Sequence, residues 1–365
     1  MEIGNSSVRI IAYYLPQYHP IPENDMWWGK GFTEWTNVGK AKSLFKGHYQ
    51  PRIPADLGYY DLRLSEVREA QANMAKEYGI YGFCYWHYWF GNGKRLLERP
   101  AREMLKAGKP DFPYCFAWAN ATWKGFAHGV RNRNVLIEQT YPGEQDYIAH
   151  FNEVLPYFMD QRYIRIDGKP VFVIYNNDDF DNEKRFMELW QSLAVQHGLK
   201  GVYFIAESSD ISEEKRLLDL GFDAINLIRL FDYQKKNSLA KRLKQYFNKR
   251  IRRMPHVYNY KDVYPSFTDF NIDSKEYIYP TIIPNWDHSP RSGREGMVLH
   301  NSTPEIFRKH LKEVLSTQKF KPDRNRIVFL KSWNEWAEGN YMEPDLRFGL
   351  KYLEVLKEEL NNISI

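Results

Sequence analysis

Glu335 and Glu338 stand three residues apart in Lys331-Ser-Trp-Asn-Glu-Trp-Ala-Glu-Gly-Asn-Tyr-Met-Glu-Pro344, among Trp333, Asn334 and Trp336. If the chain curls into a helical turn here, the two side chains share one side, with Cβ atoms about 5 to 6 Å apart. Two carboxylates in that relation suit the cleavage of a glycosidic bond. One is kept protonated by apolar surroundings and the other stays ionised. The competing account has one glutamate capping the turn and the other solvated. The tryptophans argue against it, because carboxylates set among rings mark a perturbed site rather than an open surface.

Further candidates gather where apolar runs end. Tyr14 and Gln17 close the first run and Trp28 lies in the loop beyond it. His87 and Tyr88 end the second run, Trp118 and Asn120 the third, Glu207 the fifth, and Trp286-Asp287-His288 the seventh. One polar residue at such a place is as often a cap or a hydrogen-bonded core group as a ligand contact. Several converging on one face are harder to dismiss. The chain holds 11 Trp, 26 Tyr and 22 Phe, 16% of its residues, and many stand beside carboxylates and amides. Such rings suit a ligand with an apolar face and many hydroxyls, and sugars fit that description. Trp118 and Trp333 are the expected stacking platforms. A zinc site from His87, His288 and a carboxylate has no HExxH or HxH pattern behind it. No P-loop, GxGxxG or GxSxG is present, so no cofactor is expected and nucleotide and serine-hydrolase readings lack local support.

These residues need a frame that brings strand ends together. Apolar, β-rich runs at Val8–Leu15, Ile80–Tyr88, Tyr114–Ala119, Val171–Tyr175, Val202–Ala206, Ala224–Ile228, Tyr277–Ile283 and Ile327–Leu330 each precede a segment of helical period. The helical segments are Leu64–Tyr78, Arg95–Ala107, Gln145–Met159, Asn182–His197, Ser212–Leu220, Ser238–Arg253, Thr303–Thr317 and Asp345–Asn361. Roughly eight βα units in series predict an α/β (β/α)₈ TIM barrel, with an open eight-stranded sheet as the alternative. Ser212 before two glutamates, Thr303-Pro304, and Gly79, Gly198 and Gly221 mark helix ends. Residues 16–63 form an unusually long first βα loop that carries Trp27, Trp28, Glu34, Trp35, His48 and Tyr49. Without a linker or repeat, residues 1–365 read as one domain.

Composition narrows the rest. The start, MEIGNSSVR, has no basic stretch leading into an apolar run, and no segment offers 18 uninterrupted apolar residues. The expected location is the cytoplasm. Cys84 and Cys115 lie in apolar runs without CxxC spacing and read as buried free thiols. The net charge of +5 does not call for nucleic acid as a partner. Residues 235–253 (KKNSLAKRLKQYFNKRIRR) hold nine basic residues and no acidic one, with Leu239, Leu243, Phe247 and Ile251 four apart. The plain reading is a barrel helix with a solvated outer face. The functional one is peripheral contact with an anionic inner membrane or a lipid-linked glycan.

The segments IAYYLPQYHPIPENDMWWGKGFTEWTNV, HYQPRIPADLGYYDLR, GFCYWHYWF with GKRLLERP, and SWNEWAEGNYMEPD resemble the glycoside hydrolase family 99-like, or WbsX-like, proteins of bacterial surface-polysaccharide gene clusters. The resemblance spans almost the whole chain. It implies a (β/α)₈ barrel related to the endo-acting α-mannosidases of family 99, which retain configuration by way of a 1,2-anhydro sugar. By motif, Glu335 would act on the sugar's 2-hydroxyl and Glu338 would be the general acid/base. Many members read WANENWTRRWDG after the third strand. This chain has Trp118-Ala-Asn-Ala-Thr-Trp-Lys-Gly-Phe-Ala-His-Gly129, with Ala121 where a carboxylate is common. The resemblance thus implies an oligo- or polysaccharide substrate of the O-antigen or capsule kind. Glycosyl transfer and non-catalytic glycan binding remain as alternatives to hydrolysis.

Overall fold

The structure, a computed structural model, describes residues 8–125, 134–180, 182–235 and 254–363. Its eight central strands are β1 (Arg9–Tyr14), β2 (Gly82–Trp89), β3 (Tyr114–Trp118), β4 (Lys169–Ile174), β5 (Tyr203–Ser208), β6 (Ala224–Leu227), β7 (Ile278–Ile282) and β8 (Ile327–Leu330). Each pairs in parallel with the next, and β8 returns to β1 through Arg9↔Ile327 and Ile10↔Val328. The sheet is therefore closed, which is the (β/α)₈ barrel expected from the sequence. Parallel strands are buried on both faces, so they read as apolar runs: RIIAYY, YCFAW and IVFL are almost wholly buried.

Seven described helices cover the barrel: α1 (Ser65–Glu77), α2 (Arg99–Ala107), α3 (Glu144–Met159), α4 (Glu183–Gln196), α5 (Glu214–Leu220), α6 (Pro304–Thr317) and α7 (Lys351–Asn362). Thr303 caps α6 by accepting from the Ile306 backbone, with Pro304 in the first turn, as the sequence predicts. Gly221 closes α5 at φ 112, a conformation that costs other residues strain. Three boundaries differ from expectation. Arg95 and Leu96 pair antiparallel with the end of β2, so α2 starts only at Arg99. Asp210, not Ser212, accepts the capping hydrogen bond before α5. Asp345 Oδ1 accepts from the backbones of Arg347 and Phe348, which ties that stretch into a turn and delays α7 to Lys351. The basic segment 235–253 after β6 lies, apart from Lys235, outside the described residues. Among the described residues, no helix is long and apolar enough to cross a membrane.

Between strands and helices lies a layer of packed rings. Trp190 packs at tilted or edge-on angles against Phe172, Phe186, Phe158 and Phe204, and Trp118 joins them through Phe186. Much of the aromatic content is therefore core rather than sugar platform. Cys84 and Cys115 are both buried and free. The long first βα loop folds into two short helices, Pro22–Trp28 and Glu34–Lys40. The second lays Trp35 against Trp336, which fixes the loop over the carboxyl ends of β8 and β1.

Candidate active site

The carboxyl ends of the strands surround a cavity of about 1140 Å³. That exceeds the roughly 300 to 1,000 Å³ of ordinary small-molecule pockets and leaves room for several linked sugars. The chain leaves β8 at Lys331, pairs Asn334-Glu335 with Asn340-Tyr341, and makes a tight turn over Trp336–Glu338. Gly339 follows at φ 55, and a Cβ there would come within 2.6 Å of Asp287 Cβ. Only glycine lets the turn lie this close to the β7 loop. Both Glu335 and Glu338 line the cavity.

Their surroundings differ. Glu335 is 6% exposed and accepts from Ser332 Oγ at 2.8 Å. Burial, reinforced by the neighbouring Glu338 charge, pushes its carboxyl up to about 7. Glu338 accepts from Arg291 Nη1 and lies 3.6 Å from His288 Nε2. Burial alone would raise it, but Arg291 and then His288 hold it down to about 2. Arg291 is itself clamped on its other side by Glu34, with Nη2 to Oε1 at 3.2 Å. Burial therefore favours the protonated form of Glu335 and Arg291 the ionised form of Glu338, so between these values the pair holds a single proton. Lys331 and Glu207 also line the cavity, with Trp86 and Tyr88 on β2 and Trp286 on the β7 loop. Four polar atoms of cavity-lining residues, Gln17 Nε2, Asn177 Oδ1, Glu207 Oε2 and Trp286 Nε1, are buried and unpartnered among the described residues. A polyhydroxylated ligand would satisfy them.

Of the residues singled out by sequence, Gln17, Tyr88, Glu207, Trp286, His288, Glu335 and Glu338 meet in this cavity. The others lie elsewhere, and strand alternation accounts for several. Tyr13 and Trp86 turn inward, so Tyr14 and His87 turn outward. Tyr14 donates to Gln71 on α1, and His87 shares a 2.8 Å hydrogen bond with His150 on α3. His87 and His288 thus occupy separate compartments. Trp118 is 1% exposed, donates to the Trp89 carbonyl and packs edge-on against Phe180; Ala119 takes its place on the cavity wall. Trp333 is wholly buried against Phe83, and Trp336 stacks on Tyr341 at 3.8 Å. Neither Trp118 nor Trp333 is a sugar platform.

The remaining residues cross-link the site from behind. Asn334 accepts from the Leu15 backbone N–H at 2.7 Å and donates to the Leu15 carbonyl, tying β1 to the β8 turn. Asn120 donates to Tyr141 and to the Asn176 carbonyl. Asp287 is fully buried and accepts from His48 and Gln50 at 2.8 Å each, while its backbone N–H donates to the Glu338 carbonyl. Trp28 packs on Phe32 outside the cavity. Sequence reasoning missed Trp86, Arg291, Lys331 and Glu343. Glu343 is buried and accepts from Tyr60, Gln71 and Trp336, holding the Trp336 ring in place. Period-two counting outward from Tyr88 would have found Trp86. No local signal marks Arg291, which acts 257 residues from Glu34.

Comparisons with known proteins agree with this frame. The family described as Glycosyltransferase WbsX matches residues 10–356. Proteins of Xanthomonas campestris pv. campestris described as Uncharacterized protein WxcX are 33% identical over 368 residues, which is 96% of this chain and 49% of theirs. The chain spans about half the length of the curated relatives it matches. Among solved structures, a glycoside hydrolase-like protein superposes with a TM-score of 0.60 at 16% identity, covering 97% of this chain and 94% of that one. The GH99 endo-α-mannosidase of Bacteroides thetaiotaomicron gives 0.58 at 14% identity, covering 97% of each. At these identities the likeness bears on fold alone. The family match, running from β1 into α7, together with the relatives at one-third identity, makes this chain a member of the Glycosyltransferase WbsX family.

Proposed function

We propose that the chain is a carbohydrate-active enzyme that acts on an α-linked glycan, with retention of configuration, at the Glu335–Glu338 pair. The observation that carries this reading is geometric: two carboxylates from one tight turn, Glu335 with Ser332 and Glu338 with Arg291, line a large cavity with unpaired polar atoms. A non-catalytic glycan-binding barrel has no use for such a pair, whose burial costs stability. Both carboxylates come from one short turn. They are poorly placed to lie on opposite faces of a sugar ring roughly 6.5 to 9.5 Å apart, as inversion requires.

Following the family resemblance, Glu335 takes the proton of the sugar's 2-hydroxyl and Glu338 protonates the leaving oxygen. The 2-oxygen attacks the anomeric carbon from behind, forming a 1,2-anhydro sugar. Glu338 then takes a proton from the incoming water or acceptor hydroxyl, which attacks the anomeric carbon and breaks its bond to the 2-oxygen while Glu335 returns its proton to that oxygen. The surroundings favour the proton on the opposite partner, Glu335, so this route needs the bound sugar to shift it to Glu338. That same electrostatic arrangement favours a second reading with the roles exchanged, Glu335 as acid and Glu338 as base. Aryl glycosides with acidic leaving groups separate the two. The acid's Gln variant keeps turnover on them, whereas the base's variant loses it on every substrate.

Hydrolysis is the leading outcome and transfer to a sugar acceptor the alternative, since either nucleophile can open the intermediate. The family description and the basic character of residues 235–253 support a lipid-linked or surface-polysaccharide precursor as the substrate. Chromatography of products from α-linked manno- and gluco-oligosaccharides, with and without nucleotide sugars, tests the whole reading. No product from any of them would overturn it.

A further inference from the structure

Lys331 is the first residue beyond β8, its backbone N–H still bound to the Ile282 carbonyl of β7. Its ammonium lies 5.6 Å from the ring centroids of both Tyr13 and Trp86. Those rings stack on each other at 4.8 Å. The aromatic pair holds the cation on the cavity side of the barrel without neutralising it. Among the described residues, the ammonium makes no ion pair and no hydrogen bond. Across the barrel, Glu207 ends β5 and lines the same cavity. It is 8% exposed, and its Oε2 has no hydrogen-bond partner among the described residues. Each group is the strongest charge influence on the other, and each favours the other's ionised form.

A buried carboxylate oxygen and an ammonium left apart, both facing one cavity, form an incomplete polar pair. Leaving such groups unsatisfied is costly, and a ligand that offers a donor to one and an acceptor to the other removes that cost. Adjacent hydroxyls of a pyranose do both. One donates to the carboxylate and the next accepts from the ammonium, while the carbon face of the ring rests on Trp86. The charge inventory narrows the class further. Around the glutamate pair, two permanent cations, Lys331 and Arg291, face four carboxyl groups, Glu34, Glu207, Glu335 and Glu338, which still outnumber them after the pair's one proton is counted. Arg291 is already engaged on both sides. An acidic sugar would enter a region already in surplus of negative charge.

We propose that Lys331 and Glu207 form a hydroxyl clamp over the Tyr13–Trp86 stack that selects a neutral sugar carrying two adjacent free hydroxyls. The clamp rests on the glycan reading but not on which glutamate is acid and which is base. It distinguishes neutral hexoses from their uronic acids and from forms deoxygenated at either clamped position.

The test is tryptophan-fluorescence titration of the full chain with methyl α-glycosides of mannose, glucose and galactose, their monodeoxy forms and their uronic acids. At least one neutral glycoside binds the wild type, and its uronic acid binds more weakly. Lys331→Met and Glu207→Gln each weaken the neutral glycoside about ten- to hundredfold, the range for a charged hydrogen bond. Removing a clamped hydroxyl from the ligand weakens wild-type binding by a like factor and weakens the two variants little further. Lys331→Arg keeps the charge should Lys331→Met fail to fold, and it shows a smaller loss. Unchanged affinity in the folded variants, tighter binding of a uronic acid than of its parent, or no binding by any neutral glycoside overturns the clamp. Turnover of Glu335→Gln is read separately. Its persistence overturns the glutamate chemistry and leaves the clamp standing, and the clamp can fail while that turnover loss holds.

Discussion

Two walls of the cavity are built on opposite plans. The wall from the β7 and β8 loops and the long first loop is closed and cross-linked. Arg291 sits between Glu34 and Glu338, Asp287 holds His48 and Gln50, and Glu343 gathers Tyr60, Gln71 and Trp336. The wall from the β3, β4 and β5 loops is open. Tyr175 is 42% exposed, and Arg216 pairs with Asp178 and Glu213 as surface residues do. The contrast separates two tasks. Carboxylates that trade one proton need fixed neighbours, because a small displacement of Arg291 would change which of them carries it. Recognition tolerates looser walls. The described part of the departure from the commonest family pattern, which includes Ala121 to Lys124, lines this open side.

The largest expected effect falls on the closed wall. Glu335→Gln and Glu338→Gln should each lower turnover by about 10²- to 10⁴-fold, the usual contribution of a positioned acid or base. Each swap keeps volume; Glu335→Gln should barely move the thermal midpoint, and Glu338→Gln should lower it only as far as Glu34 fails to hold Arg291 alone. Rates near wild type in either variant would break the division of labour at its root. Next come the rings behind the walls. Trp118→Ala and Trp333→Ala should each cost about 3 to 5 kcal/mol of stability by denaturant unfolding, as for other buried Trp truncations. Oligosaccharide affinity of the folded fraction should stay unchanged, and a large affinity loss without a stability loss would return either ring to the cavity.

A smaller effect concerns pH. Whichever carboxyl acts as acid, the active pair holds one proton between a group raised to about 7, Glu335, and one held down to about 2, Glu338. kcat/KM should therefore fall as pH rises through about 7, where the last proton leaves, and should fall again only in strong acid. Arg291→Lys keeps a charge but loses the two-sided grip, so Glu338 is lowered less and the acidic limb moves upward. A pH profile of Arg291→Lys that overlays the wild type would show that Arg291 does not govern the pair.

The sequence exposes the strands because parallel strands buried on both faces must be apolar throughout, and all eight runs became barrel strands. It exposes Glu335 and Glu338 because both lie in one continuous segment. What it conceals is phase. Trp86 and His87 are neighbours in GFCYWHYW, and either could face inward; the stagger of the closed barrel decides, and that depends on all eight strands together. The same uncertainty misplaced Trp118, whose neighbour Ala119 reaches the cavity instead. Pairings across loops are hidden for another reason. Arg291, Glu34 and Glu338 come from three separate loops, and no local pattern links them.

The smallest predicted effect lies on the open wall. Trp123 is half-buried, lines the cavity, and touches Trp27 at 6.0 Å and Tyr88 at 5.1 Å edge-on. Edge contacts leave part of the ring's face free, so it can carry a sugar remote from the glutamates without being part of the core. Trp123→Ala should weaken oligosaccharide binding by about 1 kcal/mol, in the range of aromatic contacts at partly exposed sites, and leave kcat on a saturating substrate unchanged. The separation of KM from kcat matters more than the size, because contact made equally in ground and transition states raises KM alone. If kcat falls with KM, the open wall shares in the chemistry and the two walls are not independent. If neither changes for substrates of any length, the ring is scaffolding for Tyr88 and recognition must lie deeper, toward Lys331 and Glu207.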